Sequence, residues 1–165
     1  MTPLRFATVL AASAALALAS VTGAGAARTA LTPAAYRAQA SALCTQAKQR
    51  IATLPKSSSS AKPAVIAKAL DDALNAVDPL LPAFRKLQPP ASLKALHEKT
   101  AAGLHDGLTI GHAIATMIGK GTDLQTALAK VQAPFLSAMG AIQTGFKGLG
   151  LATCESVLGA ALGGS

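Results

Sequence analysis

The three histidines of the chain all fall in one stretch, HEKTAAGLHDGLTIGH, from His97 to His112, together with Glu98 and Asp106. Imidazole and carboxylate are the side chains that bind metals and move protons at neutral pH. Spacing decides whether they can act together here. Two ligands of one zinc ion lie within about 4 Å of each other, since each bond is about 2 Å. On a helix, His105 and His112 are seven residues apart, or roughly 10 Å along the axis at 1.5 Å per residue. His97 is further still from His105. No two of His97, Glu98, His105, Asp106 and His112 stand at i,i+3 or i,i+4, so this helix alone holds no chelate.

Known motifs fail at defined positions. His97-Glu98 opens H-E-x-x-H, but Ala101 stands where the second histidine belongs. Gly103-Leu104-His105 resembles the start of the G-x-H-x-x-E pattern of imelysin-like helical proteins, with Leu108 in place of the glutamate. Gly119 to Thr122 echoes a P-loop, yet Ile114 replaces the upstream glycine and Gly121 follows Lys120. Neither G-x-S-x-G nor C-x-x-C-H occurs. Bis-histidine haem needs imidazoles from two helices, and here one helix carries all three; pairing with Met139 is formally open, although a packed Met is usually core filler. Asp71, Asp72 and Asp78 belong to another segment, and nothing positions a glycosidase pair among them. No catalytic residue, metal or cofactor is expected.

Two readings of the histidines are open. In one, His97 sits in the middle of the apolar arc made by Leu93, Leu104, Leu108 and Ala115 and has a hydrogen-bond partner, with His105 and His112 half-exposed. In the other they form a polar patch with Glu98 and Lys94 that lines a cleft or senses acid. Gly103, Gly107 and Gly111 add a small-residue stripe at i,i+4. Each glycine weakens a helix by about 1 kcal/mol against alanine. The stripe therefore implies close approach of a neighbouring helix, or a groove beside it. His97, Glu98, His105, His112, Gly103, Gly107 and Gly111 are the candidate ligand groove. A ligand-binding module should show an apolar groove along the stripe. A structural partner protein should show an exposed apolar patch, and an enzyme a carboxylate from another helix within reach of a histidine.

The segments that must position these residues read as helices. Thr32 is a natural N-cap with Pro33 at the first helical position, and Tyr36, Ala40, Leu43, Ala47, Ile51 and Leu54 recur at helical period, giving a helix over 33–54. Pro55 and the four serines of 57–60 end it. A second helix spans 63–87, with Pro79 and Pro82 either kinking it or starting a fresh helix capped by Asp78. Pro89-Pro90 breaks the chain before a third helix at 92–118, which closes on Gly119-Lys120-Gly121. Thr122 with Gln125 makes a capping box for a fourth at 123–148, bent at Pro134. No segment alternates with period two. The expected fold is all-α: an antiparallel four-helix bundle, whose last residues fold back toward the first helix and end in a frayed tail.

The first residues are of another kind. Met1 to Arg5 is a short basic start, Phe6 to Val21 is apolar, and Ala24-Gly25-Ala26 is an A-x-A cleavage site, so 1–26 reads as a cleavable signal peptide and 27–165 as the helical domain. The apolar run is shorter than the ~20 residues a spanning helix needs, so no transmembrane span is expected after processing. Removing Arg5 leaves 14 Lys+Arg against 7 Asp+Glu, a net charge of +7. Such a balance attracts anionic envelope components. Five aromatic residues in all, with no Trp, are too few for a base-stacking platform, so nucleic acid is not an expected partner. The expected partners are anionic envelope components or a small apolar ligand. Two cysteines in an exported chain read as a disulfide between Cys44 and Cys154.

An aromatic-led first helix with a Cys (Tyr36, Cys44), a Leu-x-Pro-Pro break (Leu87, Pro89, Pro90) and a closing Gly-Leu-x-x-Cys (Gly150, Leu151, Cys154) resemble small exported helical proteins of high-GC Gram-positive bacteria. Some of these are lipoprotein-like, from which this chain departs by having no cysteine after the cleavage site. The resemblance implies a secreted, non-catalytic interaction module at the cell envelope, or a purely structural envelope protein. A metal- or haem-binding or hydrolytic bundle is the third reading. No functional residue carries over.

Overall fold

A computed structural model describes residues 30–55 and 62–161, with side chains to Gly159. The signal peptide expected at 1–26, the serine loop at 57–60 and the last four residues lie outside the described residues. Among the described residues the fold is all-helical, with one disulfide between Cys44 and Cys154. Six helices follow in order: α1 Pro33–Ala52, α2 Pro63–Val77, α3 Leu80–Arg85, α4 Ala91–Gly119, α5 Leu124–Leu149 and α6 Ala152–Ala161. None of the described helices is long and apolar enough to cross a membrane.

Local chemistry explains most boundaries. The Thr32 side chain accepts from Ala35 N at 3.2 Å, and Pro33, which has no N–H to leave unsatisfied, opens α1. The segment 63–87 is two helices rather than one kinked helix. Pro79 has no N–H to continue the ladder, so α2 ends at Val77 and Asp78 donates its own N–H to Leu74 O at 2.9 Å. Asp78 therefore closes α2 instead of capping α3, and its carboxylate is left for another partner. At the start of α5, Asp123 takes the capping place expected for Thr122, its carboxylate accepting from Thr126 N at 2.9 Å. A carboxylate three residues before that amide is a good acceptor and also complements the positive helix end. Pro134 lies inside α5 without ending it.

Gly150 stops α5. It takes the left-handed conformation (φ 71°), and Leu151 N donates to Phe146 O at 2.9 Å, a Schellman closure. The chain then turns back as expected and forms α6, and the tail expected to fray, 162–165, lies outside the described residues. Leu151, Cys154, Val157 and Leu158 supply a helical stripe, with Leu151 and Cys154 fully buried.

α4 is the central element, packed against α5, α2 and α3, while α1 touches α2, α3 and α6, and α6 returns to α5. The core has two parts. Tyr36, Phe84, Ile142, Phe146, Leu149, Leu151 and Cys154 fill the larger, and Ala67, Ile114, Ile118 and Ala127 the smaller. Small residues set the helix spacing. A Cβ on Gly145 of α5 would come within 2.8 Å of Thr100 Cβ on α4, and one on Gly111 of α4 within 2.7 Å of Leu74 Cδ2 on α2. Long-range bonds tie α1 in place, among them Arg37 Nε donating to Leu149 O at 2.9 Å and Leu31 N donating to Gln88 O at 2.9 Å.

Candidate functional site

His97 is buried on α4, 4% exposed. Its Nδ1 lies 2.9 Å from the hydroxyl of Tyr36, which is fully buried on α1. The Phe84 ring of α3 lies tilted over the imidazole, centroids 4.6 Å apart, and Tyr36 meets it edge-on at 5.6 Å. Three helices thus meet on one imidazole. Burial lowers the His97 pKa below the usual 6.5, with Glu98 opposing, and burial pushes the Tyr36 phenol up to about 12. Both groups are therefore neutral at pH 7, which is what a buried polar pair requires.

His112 is a different site. Its Nδ1 lies 2.9 Å from Asp71 Oδ1 and its Nε2 3.1 Å from Asp78 Oδ2. Asp71 is on α2 and Asp78 caps its end, so the imidazole clamps α2 to α4. Partial burial lowers the His112 pKa, but hydrogen bonds to the Asp71 and Asp78 carboxylates and their charges outweigh it, and the net shift is upward. A carboxylate from another helix within reach of a histidine is the arrangement expected of an enzyme. Here both ring nitrogens are engaged by carboxylates, Nδ1 by Asp71 and Nε2 by Asp78. The two carboxylates also leave from opposite sides of the ring and do not converge on one point. Among the described residues no three potential ligands gather round a metal position.

The other candidate residues are divided among separate surroundings. His105 is exposed, its backbone carbonyl accepting from Thr109 Oγ1. A Cβ on Gly103 would meet Ala141 Cβ at 3.0 Å, and one on Gly107 would meet Ile142 Cδ1 at 3.2 Å. The glycine stripe is thus a packing surface against α5 and, through Gly111, against α2. Met139 packs at the edge of the core. Of the expected groove residues, His97 and Glu98 share a cavity. It is an open cleft of about 580 Å³ at the start of α4, which Arg85, Gln88, Ala91 and Lys94 also line.

A second cavity, of about 190 Å³, is lined by none of the three stripe glycines. Every helix contributes to its wall: Leu43, Cys44 and Ala47 from α1, Val77 from α2, Leu80, Leu81 and Phe84 from α3, Leu104 and Leu108 from α4, Phe146 from α5, and Cys154, Val157 and Leu158 from α6. All of these side chains are apolar. Phe84, Phe146 and Cys154 form its buried floor, and the half-buried Leu43, Ala47 and Val157 stand nearer solvent. Sequence reasoning placed Leu104 and Leu108 on the apolar arc of α4 but had no means of seeing that the neighbouring helices leave them incompletely covered. Three large apolar side chains, Val65, Leu124 and Leu136, are exposed elsewhere on α2 and α5.

No family model matches the chain, and neither the curated proteins nor the solved structures contain a match to it.

Proposed function

We propose that the protein is exported by its first 26 residues and acts outside the cytoplasm as a non-catalytic binding module, holding a small apolar molecule in the cavity walled by all six helices. On this reading the long helices act as an antiparallel four-helix bundle, and α6 closes the cavity from the side. The net charge of +7 after removal of Arg5 draws the protein to an anionic cell envelope. The observation that carries the reading is the wall itself. A space of about 190 Å³ lined only by apolar side chains and open to solvent at its mouth is large enough for one aromatic ring, since ~150 Å³ suffices for benzene.

Indole is a suitable probe, because the chain has no Trp and its fluorescence is read without background. Burying about 150 Å² of apolar surface at ~25 cal/mol per Å² contributes about 4 kcal/mol, which corresponds to a Kd near millimolar. Saturable binding in that range, weakened at least tenfold by Ala47→Leu at the mouth, is the expected result. Binding that Ala47→Leu leaves unchanged, or no saturable binding, removes the reading. Export is checked independently by mass: a chain secreted from a bacterial host should start at Ala27 and be lighter by two hydrogens.

A further inference from the structure

The cleft at the start of α4 has the chemistry of a site for a small anion. Arg85 and Lys94 bring two positive charges to it and Glu98 one negative. None of the three makes an ion pair among the described residues. The first turn of α4 adds partial positive charge. Pro90 offers no capping side chain, no acidic residue stands in that turn, and Ala91 lies in the cleft wall.

His97 supplies the independent observation. Although it is 4% exposed, only its Nδ1 has a partner, the Tyr36 hydroxyl. Its Nε2 has none among the described residues. No sealed side-chain nitrogen lacks a partner, so Nε2 is not sealed, and the cleft that His97 lines is where it opens. With the protonated Tyr36 O–H as donor to Nδ1, which is one of the two directions this contact allows, the imidazole proton stands on Nε2. In that tautomer a neutral N–H donor faces a cleft that Arg85 and Lys94 also line.

Glu98 limits what fits. Its charge disfavours a dianion such as phosphate, and it accepts a hydrogen bond from a neutral or cationic donor on the guest. We propose that this cleft binds a small organic monocarboxylate bearing a hydroxyl or amino group, with its carboxylate held by Arg85, Lys94 and His97 Nε2–H and its donor by Glu98. The proposal does not depend on the apolar cavity, since no residue lines both spaces.

The test is NMR titration of the ¹⁵N-labelled protein with lactate, acetate and inorganic phosphate at fixed ionic strength. Lactate should shift the Ala91 and Ser92 amides and the His97 Nε2–H saturably, with acetate about tenfold weaker. Phosphate should give no saturable shift. Arg85→Gln and Lys94→Gln, both of exposed side chains, should each weaken lactate several-fold, and Glu98→Gln should abolish the preference for lactate over acetate. The proposal is overturned if lactate gives no saturable shift, if phosphate binds as well as lactate, or if binding survives the double Arg85→Gln, Lys94→Gln variant. Imidazole ¹⁵N shifts placing the proton on Nδ1 would also overturn it.

Discussion

At the scale of single residues, the two inward-turned histidines respond to acid in opposite senses. His112 binds its proton more tightly in the folded state, because Asp71 and Asp78 accept from both ring nitrogens. Its contribution is therefore complete below the unfolded value of about 6.5 and is lost as pH rises through the raised folded value. His97 binds its proton less tightly when folded, so it favours the fold at high pH and opposes it as pH falls below about 6.5. The two are separable with His112→Gln. This variant should be less stable than the wild type at about pH 5.5, and the gap should shrink toward pH 8.5. The His112, Asp71 and Asp78 side chains are 32%, 49% and 44% exposed, so solvent screening keeps the gap below about 1 kcal/mol. Urea midpoints at the two pH values measure it, and a gap that grows with pH would show the sign to be wrong. Little of this could be read from sequence. The burial of His97 followed from its place in the apolar arc of α4, but the partners of His112 lie 41 and 34 residues away, and helical spacing says nothing about contacts between helices.

At the scale of elements, the glycines separate into those held by a neighbour and those left open. Gly145 faces Thr100, which is fully buried and whose hydroxyl donates to Leu96 O at 2.6 Å. That side chain has nowhere to go, so Gly145→Ala should destabilise by about 1–3 kcal/mol. Gly140 lies in the same helix with nothing within 4 Å of an added Cβ, and Gly140→Ala should stabilise by up to about 1 kcal/mol through helix propensity. Thermal unfolding of the pair provides an internal control, since the substitution and the helix are the same. Equal effects would mean that the α4–α5 approach does not depend on Gly145. The helices themselves were largely legible: Thr32-Pro33, Pro89-Pro90 and the glycines around Lys120 mark ends that chain chemistry alone enforces. The break at Asp78-Pro79 was visible only as an alternative, because a proline in a helix can either bend it or end it. α6 was missed because Gly159, Gly163 and Gly164 weaken the local signal, whereas the stripe that makes it a helix is stabilised by burial against α1 and α5.

At the scale of the whole molecule, α6 and the disulfide determine whether the apolar cavity has a closed wall. α6 packs on α1 and α5 and contributes Cys154, Val157 and Leu158 to the cavity, while Cys44 of α1 stands in the same wall. The covalent link spans 110 residues, and in the chain-entropy view a loop of that length stabilises by about 4–5 kcal/mol. The core it reinforces is rich in alanine, and few large side chains are fully buried, so the link is a substantial share of a marginal total. The Cys44→Ser, Cys154→Ser variant should therefore lose about 2–5 kcal/mol. Protease cleavage should rise first within 152–161, and indole affinity should fall with it, because freeing α6 removes one wall of the cavity while α4 and α5 stay packed. Limited proteolysis under native conditions, followed by indole titration, distinguishes this from general loosening. If the variant keeps α6 protected and indole bound, the buried Leu151 and its apolar neighbours hold α6 without help, and the disulfide stabilises the chain without shaping the cavity.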